Sequence, residues 1–298
     1  MLCAVLVATR FRGFEYYSFS MCERSLQRDS PLKGGQSAYT TPYPAVACWI
    51  LRTNSTSDLL RSQAIEDSWG SYCNTIDFID KETPGIVADW FDAYEDISAK
   101  SYRAWNFMHW KYLNPDSPRI PMVDFVLKAD VDTYIIGPNM LEYLSRFDPD
   151  EPHYIGKNFI DLHGNHFVAG TAIILSRAAL NNLARSGSKP CSFEKFREYK
   201  QAEDLALAMC LRDLNIRPYD TRDCSGAERF MVFGPDMMQV GDANGELPSW
   251  YQKFSRNKLV GKGCCSTKAI AFHYTTLEQL QTQTLVLRGT DWFWESRA

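Results

Sequence analysis

Two aspartates one residue apart, Asp130 and Asp132, follow directly on the apolar run 123–129. A strand that drives into two carboxylates at its end lets both converge on one cation at the edge of a sheet. Hard divalent ions such as Mg²⁺ or Mn²⁺ take oxygen ligands and are commonly completed by substrate phosphates. An Asp-x-Asp alone also caps turns and helices, so its chemical reading comes from its place after a buried strand. His273 lies far later, within Ala271-Phe272-His273-Tyr274. It reads either as a satisfied core histidine or as a nitrogen ligand beside carboxylates on Mn²⁺, which accepts mixed N and O sets better than Mg²⁺ does. Glu203 and Asp204 open a predicted helix. Negative charge is favoured at that end by the helix dipole, so capping is one account of the pair. A general base that takes a proton from a hydroxyl is the other. The residues by themselves leave both choices open.

The elements that must position these groups read as alternating strands and helices. Residues 46–51 form a short apolar run bounded by Pro44 and a polar stretch, and 75–79 form a second. Between them Asp58 is expected to cap a helix that carries Leu59, Leu60, Ala64 and Ile65 and ends near Trp69-Gly70. Over 98–113, Tyr102, Trp105, Met108 and Tyr112 recur at helical steps, a stripe that faces the core. The almost continuous apolar run 123–129 suits a parallel strand covered on both faces. The pattern implies an open α/β sheet, whose ligands sit beyond the carboxyl ends of its strands, and the acidic triplet lies there. A helix over 138–146, hairpin strands over 154–167, and helices over 176–186 and 202–214 are expected next. The rest reads as loop-rich. Residues 45–298 are expected to form one domain, and 1–44 a poorly ordered stem or tail.

The chain has 298 residues, 45% hydrophobic and 13% aromatic, with a formal net charge of −4 and no sustained basic block. Nucleic acid is therefore excluded as a partner, because binding a phosphate backbone needs a basic face. The apolar run at residues 1–8 falls short of the roughly 20 residues that span a bilayer, and it lacks the basic start of a signal peptide. The nine cysteines show no paired CxxC spacing of a zinc site. They read as disulfides in an oxidising lumen, with buried free thiols the alternative. Asn54-Ser55-Thr56 is a glycosylation sequon, which fits a lumenal chain.

From about residue 46 to 288 the sequence resembles the core 1 β1,3-galactosyltransferases of glycosyltransferase family 31. The resemblance is carried by Cys48-Trp49, Gln63-Ala64-Ile65-Glu66-Asp67-Ser68-Trp69, Leu127-Lys128-Ala129-Asp130-Val131-Asp132-Thr133-Tyr134, Glu203-Asp204-Leu205-Ala206-Leu207, Asp220-Thr221-Arg222-Asp223, Gly263-Cys264-Cys265-Ser266 and Phe272-His273-Tyr274. Their order and spacing fit as well. The resemblance implies an α/β fold of GT-A type, Rossmann-like, with a mostly parallel central sheet. It implies Mn²⁺ and a UDP-sugar donor, with Asp130, Asp132 and His273 as metal ligands, Asp204 as base, and Arg52, Thr53, Lys100 and Asp130 in contact with the donor. Glu203, Gly170, Trp250 and Tyr251 would shape the acceptor side. Disulfides Cys48–Cys73 and Cys191–Cys210 and a bridge between neighbours Cys264 and Cys265 are implied too.

The activity so implied is inverting transfer of galactose from UDP-galactose to GalNAc-Ser/Thr of a glycoprotein or glycopeptide, in the Golgi lumen of the secretory pathway. A membrane anchor is expected for the family but is not visible in this chain, and a homodimer is compatible with it. Two segments depart from the family pattern. Ala169-Gly170-Thr171-Ala172 stands where the family has Gly-Gly-Ala-Gly, and the added side chains narrow the acceptor space. Trp250-Tyr251-Gln252-Lys253-Phe254 carries fewer rings than the family's aromatic segment. The alternatives are a fringe-like β1,3-N-acetylglucosaminyltransferase or another UDP-sugar transferase of this fold, a non-catalytic chaperone-like relative, and a carbohydrate-binding module. Donor choice rests on a few pocket contacts, whereas a chaperone-like relative would be expected to have lost the carboxylates.

Overall fold

Strand β1 (Val46–Leu51) is buried along nearly its whole length, and its alternate side chains serve two different cores. Ala47 and Trp49 join one apolar cluster, and Val46, Cys48 and Ile50 join the other. A strand covered on both faces has no polar side to show, which is why its sequence runs apolar without alternation. Strands β2 (Thr75–Ile79) and β3 (Phe125–Asp130) flank it, both parallel to it. This computed structural model describes residues 43–83, 86, 94–114, 122–261 and 263–286. The stem expected over 1–44 lies outside the described residues except at 43 and 44.

The sheet continues through β6 (His166–Ser176) to β5 (Tyr154–Ile160), in the order β2-β1-β3-β6-β5. β6 runs against both β3 and β5, so four of the five strands point the same way. The α/β fold with a mostly parallel sheet is thus the observed one, and β5 and β6 form the hairpin expected there. Registers Leu51↔Asp130 and Ala129↔Ala172 set the end of β1, the end of β3 and the Gly170-Thr171 stretch of β6 side by side.

Helices cover both faces. On one, α1 (Thr56–Glu66) and α3 (Gly137–Leu144) contribute Ile65, Met140 and Leu144. On the other, α2 (Ile97–Tyr112), α4 (Arg177–Ala184), the short α5 (Phe193–Glu198) and α6 (Glu203–Asp213) contribute Trp105, Met108, Leu180, Phe196 and Leu207. The stripe on α2 is a core stripe: Trp105, Met108 and Tyr112 are buried, and Trp105 meets Trp49 edge to face at 5.1 Å.

One helix start differs from expectation. Ser55 caps α1 and accepts from the Asp58 N–H. Asp58 sits inside the first turn, where its carboxylate accepts from the Thr53 N–H and hydroxyl, both at 2.7 Å. It fastens the loop before the helix to the helix itself.

Beyond α6, where the sequence reads as loops, β7 (Phe230–Met231) and β8 (Ala271–Phe272) join the earlier β4 (Tyr134–Ile135) in a second sheet, in the order β4-β8-β7. The short helices α7 (Pro235–Val240), α8 (Ser249–Phe254) and α9 (Leu277–Val286) accompany it. Among the described residues no helix is long and apolar enough to cross a membrane.

All three implied disulfides are present, Cys48–Cys73, Cys191–Cys210 and Cys264–Cys265. Cys191–Cys210 closes a sequence separation of 19 residues between a short 3-10 helix (Lys189–Cys191) and the last turn of α6. Loops of that size give about 3 kcal/mol by restricting the unfolded chain. A Cys191→Ser/Cys210→Ser double variant should lose that amount in urea unfolding at 25 °C; an unchanged midpoint and slope would contradict it.

Candidate active site

Asp130 ends β3, and a tight turn leads from it into β4. Thr133 N donates to the Asp130 carbonyl at 3.0 Å, and Thr133 Oγ1 donates to the Thr171 carbonyl at 3.0 Å. β8 lies antiparallel beside β4, with Tyr134 opposite Phe272. His273, the next residue after β8, is thereby delivered to the turn that carries Asp132. Thr275 then fastens the two segments, its N–H and hydroxyl donating to the Asp132 carbonyl at 3.0 and 2.7 Å.

The outcome is a convergence of three side chains. His273 Nε2 is 3.3 Å from Asp130 Oδ2 and 3.1 Å from Asp132 Oδ1, and one ligand atom from each residue lies within 4.8 Å of the other two. His273 is buried, its Nε2 faces the two carboxylates, and its Nδ1 has no hydrogen-bond partner among the described residues. Two carboxylate oxygens and one imidazole nitrogen make a mixed N/O set that suits a divalent cation.

The electrostatics of the cluster are strongly biased. Burial works against a charged His273, but hydrogen bonds to Asp130 and Asp132, and their charges, outweigh it and raise the imidazole to about 9. Burial likewise opposes an ionised Asp130. The Lys128 charge and the hydrogen bond from His273 prevail and hold it down at about 2. A folded value above the ordinary 6.5 means that the imidazolium contributes stability in full below pH 6.5 and loses it as pH rises through about 9. Chelator-treated protein should therefore melt at progressively lower temperature across that window, and His273→Ala should flatten the slope. A wild-type slope retained in His273→Ala would refute the assignment.

Lys128 carries no mark of a site residue in the sequence alone. It lies two residues before Asp130 on the same side of β3, with no exposed surface. Its Nζ contacts Asp130 Oδ1 at 2.7 Å, Glu203 Oε1 at 2.5 Å and the Gly170 carbonyl at 2.8 Å. Burial tends to lower its pKa, but Asp130 and Glu203 more than offset this and raise it. The signal in the sequence is one lysine inside the otherwise apolar stretch 125–129.

Glu203 and Asp204 begin α6, and no side chain caps that helix. Asp204 Oδ1 accepts from the Leu205 N–H at 2.8 Å. Burial first, and the neighbouring Glu203 charge second, push the Asp204 carboxyl up to about 6.

These groups share one cavity of about 560 Å³, a size that suits a substrate-sized ligand. Arg52, Thr53, Lys100, Asp130, Gly170, Glu203, Asp204, Trp250 and His273 all line it. Arg52 is held by Asp80 at 3.1 Å, and Thr53 by Asp58. Asp132 joins through the His273 cluster rather than through the cavity wall.

Tyr251 is the exception. It has no exposed surface and packs on Phe159 and Phe233 in the core, because adjacent residues on a helix point about 100° apart. Trp250, 41% exposed, takes the cavity side alone. Trp250 is not the only ring at the cavity. Tyr274 and Phe159 also line the cavity, and Tyr274 stacks on Phe233, which touches Trp250 in turn. Tyr274 reaches this place through a left-handed backbone, φ 52°, which an aromatic residue rarely adopts.

The acidic cluster and the desolvated carboxylate lie at the carboxyl ends of the strands, where α/β sheets bind their ligands. The relatives are more specific. The chain is 29% identical over 248 residues to the glycoprotein-N-acetylgalactosamine 3-beta-galactosyltransferase 1 of Xenopus laevis, covering 80% of this chain and 64% of that protein. It is 26% identical over 178 residues to the UDP-GlcNAc:betaGal beta-1,3-N-acetylglucosaminyltransferase 7 of Rattus norvegicus, covering 55% of this chain and 41% of that one. The resemblance read from the motifs thus extends over four fifths of the chain, which spans less than two thirds of the length of either relative. No protein-family model matches.

Among solved structures, a glycosyltransferase involved in the glycosylation of the major capsid of PBCV-1 superposes with a TM-score of 0.40 at 10% identity, over 81% of this chain and 99% of that one. Galactosyltransferase LgtC, in complex with donor and acceptor sugar analogues, gives 0.40 at 12% identity, over 77% and 87%. Scores of that size do not themselves define a fold or a function.

Proposed function

We propose that this protein is a metal-dependent, inverting β1,3-glycosyltransferase of GT-A type that transfers galactose from UDP-galactose to GalNAc-Ser/Thr of a glycoprotein or glycopeptide in the Golgi lumen. The observation that carries the reading is one cavity with two poles. Asp130, Asp132 and His273 converge at the end of β3, and Asp204 stands in the same cavity with its pKa raised towards neutrality. The similarity to a 3-beta-galactosyltransferase supports the choice of donor and acceptor, and the disulfides support an oxidising compartment.

Asp130, Asp132 and His273 would hold Mn²⁺, which a mixed N/O set favours over Mg²⁺. The ion, when bound, supplies positive charge for the departing diphosphate. Arg52, Thr53 and Lys100 hold the nucleotide-sugar, and Glu203, Gly170 and Trp250 form the acceptor wall. Asp204 takes the proton from the acceptor 3-hydroxyl. That oxygen attacks the anomeric carbon from the face opposite UDP, the bond to the diphosphate breaks, and the configuration inverts.

The test is transfer itself. Purified protein with Mn²⁺ and a panel of UDP-sugars is offered a GalNAc-threonine peptide, and the product is read by mass and by the NMR coupling of its new anomeric proton. A β-linked galactose is expected. An α-linked product would refute inversion. Transfer from UDP-GlcNAc instead would favour the N-acetylglucosaminyl reading, which the second relative motivates.

A further inference from the structure

We propose that Lys128 is a positioning residue for this reaction, a buried cationic brace that fixes the cation cluster and the acceptor-side carboxylate relative to each other. The inference rests on the function proposed above. An ammonium has three protons, and Lys128 Nζ has three acceptors, Asp130 Oδ1 at 2.7 Å, Glu203 Oε1 at 2.5 Å and the Gly170 carbonyl at 2.8 Å. These come from three separate elements, the end of β3, the start of α6 and the middle of β6. With every proton committed, the three elements share one junction.

The junction also decides which oxygens remain available. Asp130 spends Oδ1 on Lys128, and its Oδ2 is the atom that meets His273. Glu203 spends Oε1 on Lys128, while its Oε2 is buried without a hydrogen-bond partner among the described residues. Glu203 lines the cavity, so a small rotation of its carboxylate on acceptor binding would offer Oε2 to a hydroxyl of the bound sugar. A buried carboxylate oxygen left unpaired is costly, and acceptor binding would remove that cost.

A second buried lysine shows what a purely structural pair looks like. Lys157, also without exposed surface, meets Glu228 Oε1 at 2.5 Å and Ser255 Oγ at 2.8 Å. One carboxylate balances its charge, and neither Lys157 nor Glu228 lines the cavity. Lys128 contacts two carboxylates, one more than charge balance requires. The second contact makes sense as a link between two poles of a site.

Full-length Lys128→Met and Lys157→Met proteins are compared with wild type by melting temperature, by Mn²⁺ affinity from electron paramagnetic resonance of the free ion, and by kcat and both KM values. Both variants lose a buried ion pair, so both should melt earlier. Only Lys128→Met should also bind Mn²⁺ about 10–100-fold more weakly, the usual effect of losing a residue behind a metal ligand, and show a raised acceptor KM. If Lys128→Met does not fold, Lys128→Met/Glu203→Gln removes both charges together and should fold, again with weakened Mn²⁺ binding. Wild-type Mn²⁺ affinity in whichever of these folds, or an equal loss in Lys157→Met, overturns the brace. A wild-type protein that binds no Mn²⁺ overturns the function reading itself.

Discussion

Asp204→Asn should lower kcat for transfer by about 10²–10⁴-fold while Mn²⁺ and UDP bind as in wild type. Asn keeps the shape of the side chain but accepts no proton. The same substitution should raise the melting temperature at neutral pH, and the sign follows from the pKa. The folded value of about 6 exceeds the ordinary 3.8, because burial and the Glu203 charge both disfavour the ionised form. Ionisation of Asp204 therefore subtracts stability as pH rises between those values, and a neutral residue escapes the loss. A capping residue predicts the opposite, a less stable protein with activity retained. In wild type, kcat/KM should climb through about pH 6 and then level off, since the base works only when deprotonated. A variant that is less stable and still active would assign Asp204 to the helix rather than to catalysis.

The second large effect is expected at Asp132. Asp130 is bound up with Lys128 as well as with His273, so changing it disturbs two contacts together. Asp132 meets His273 through its carboxylate and Thr275 through its backbone, and Asp132→Asn leaves the backbone clamp in place. Mn²⁺ affinity should drop by at least about 100-fold, the upper end of what losing a residue behind a ligand costs. Transfer should disappear with it. In metal-free protein the pKa of His273 should fall towards its ordinary value, because one of its two carboxylate partners has become neutral. NMR titration of the imidazole measures that shift, and a value unchanged near 9 would contradict the account of the cluster.

Much of this site could be read from the sequence, and the exceptions have physical reasons. β1 and β3 are buried on both faces, so their runs are almost wholly apolar, broken in β3 by Lys128, and easily recognised. The α2 stripe shows helical spacing for the same reason, a core on one side. β4, β7 and β8 have two residues each, too few for any period to show. The pairing of Tyr134 with Phe272, which delivers His273, joins segments more than a hundred residues apart. The residue alone therefore leaves His273 open between core histidine and metal ligand, and the family resemblance favours the ligand. Lys128 is not legible as a site residue, because the role of a buried lysine depends on what β6 and α6 bring to it. Trp250 and Tyr251 form one aromatic pair in the sequence, whereas a helix sends neighbours to different faces, one to the cavity and one to the core. The fastening of the Thr53 loop by Asp58 is local, yet capping preference alone assigns Asp58 to the helix end that Ser55 occupies.

The central claim is that Asp130, Asp132 and His273 bind a nucleotide diphosphate through a shared cation. Calorimetric titration of UDP into the purified protein, with Mn²⁺ and again after EDTA, tests it most directly. The account predicts saturable UDP binding with Mn²⁺ that is lost on chelation and is absent from Asp132→Asn at the same Mn²⁺ concentration. UDP binding that is equal with and without the metal, or no binding under either condition, would contradict it.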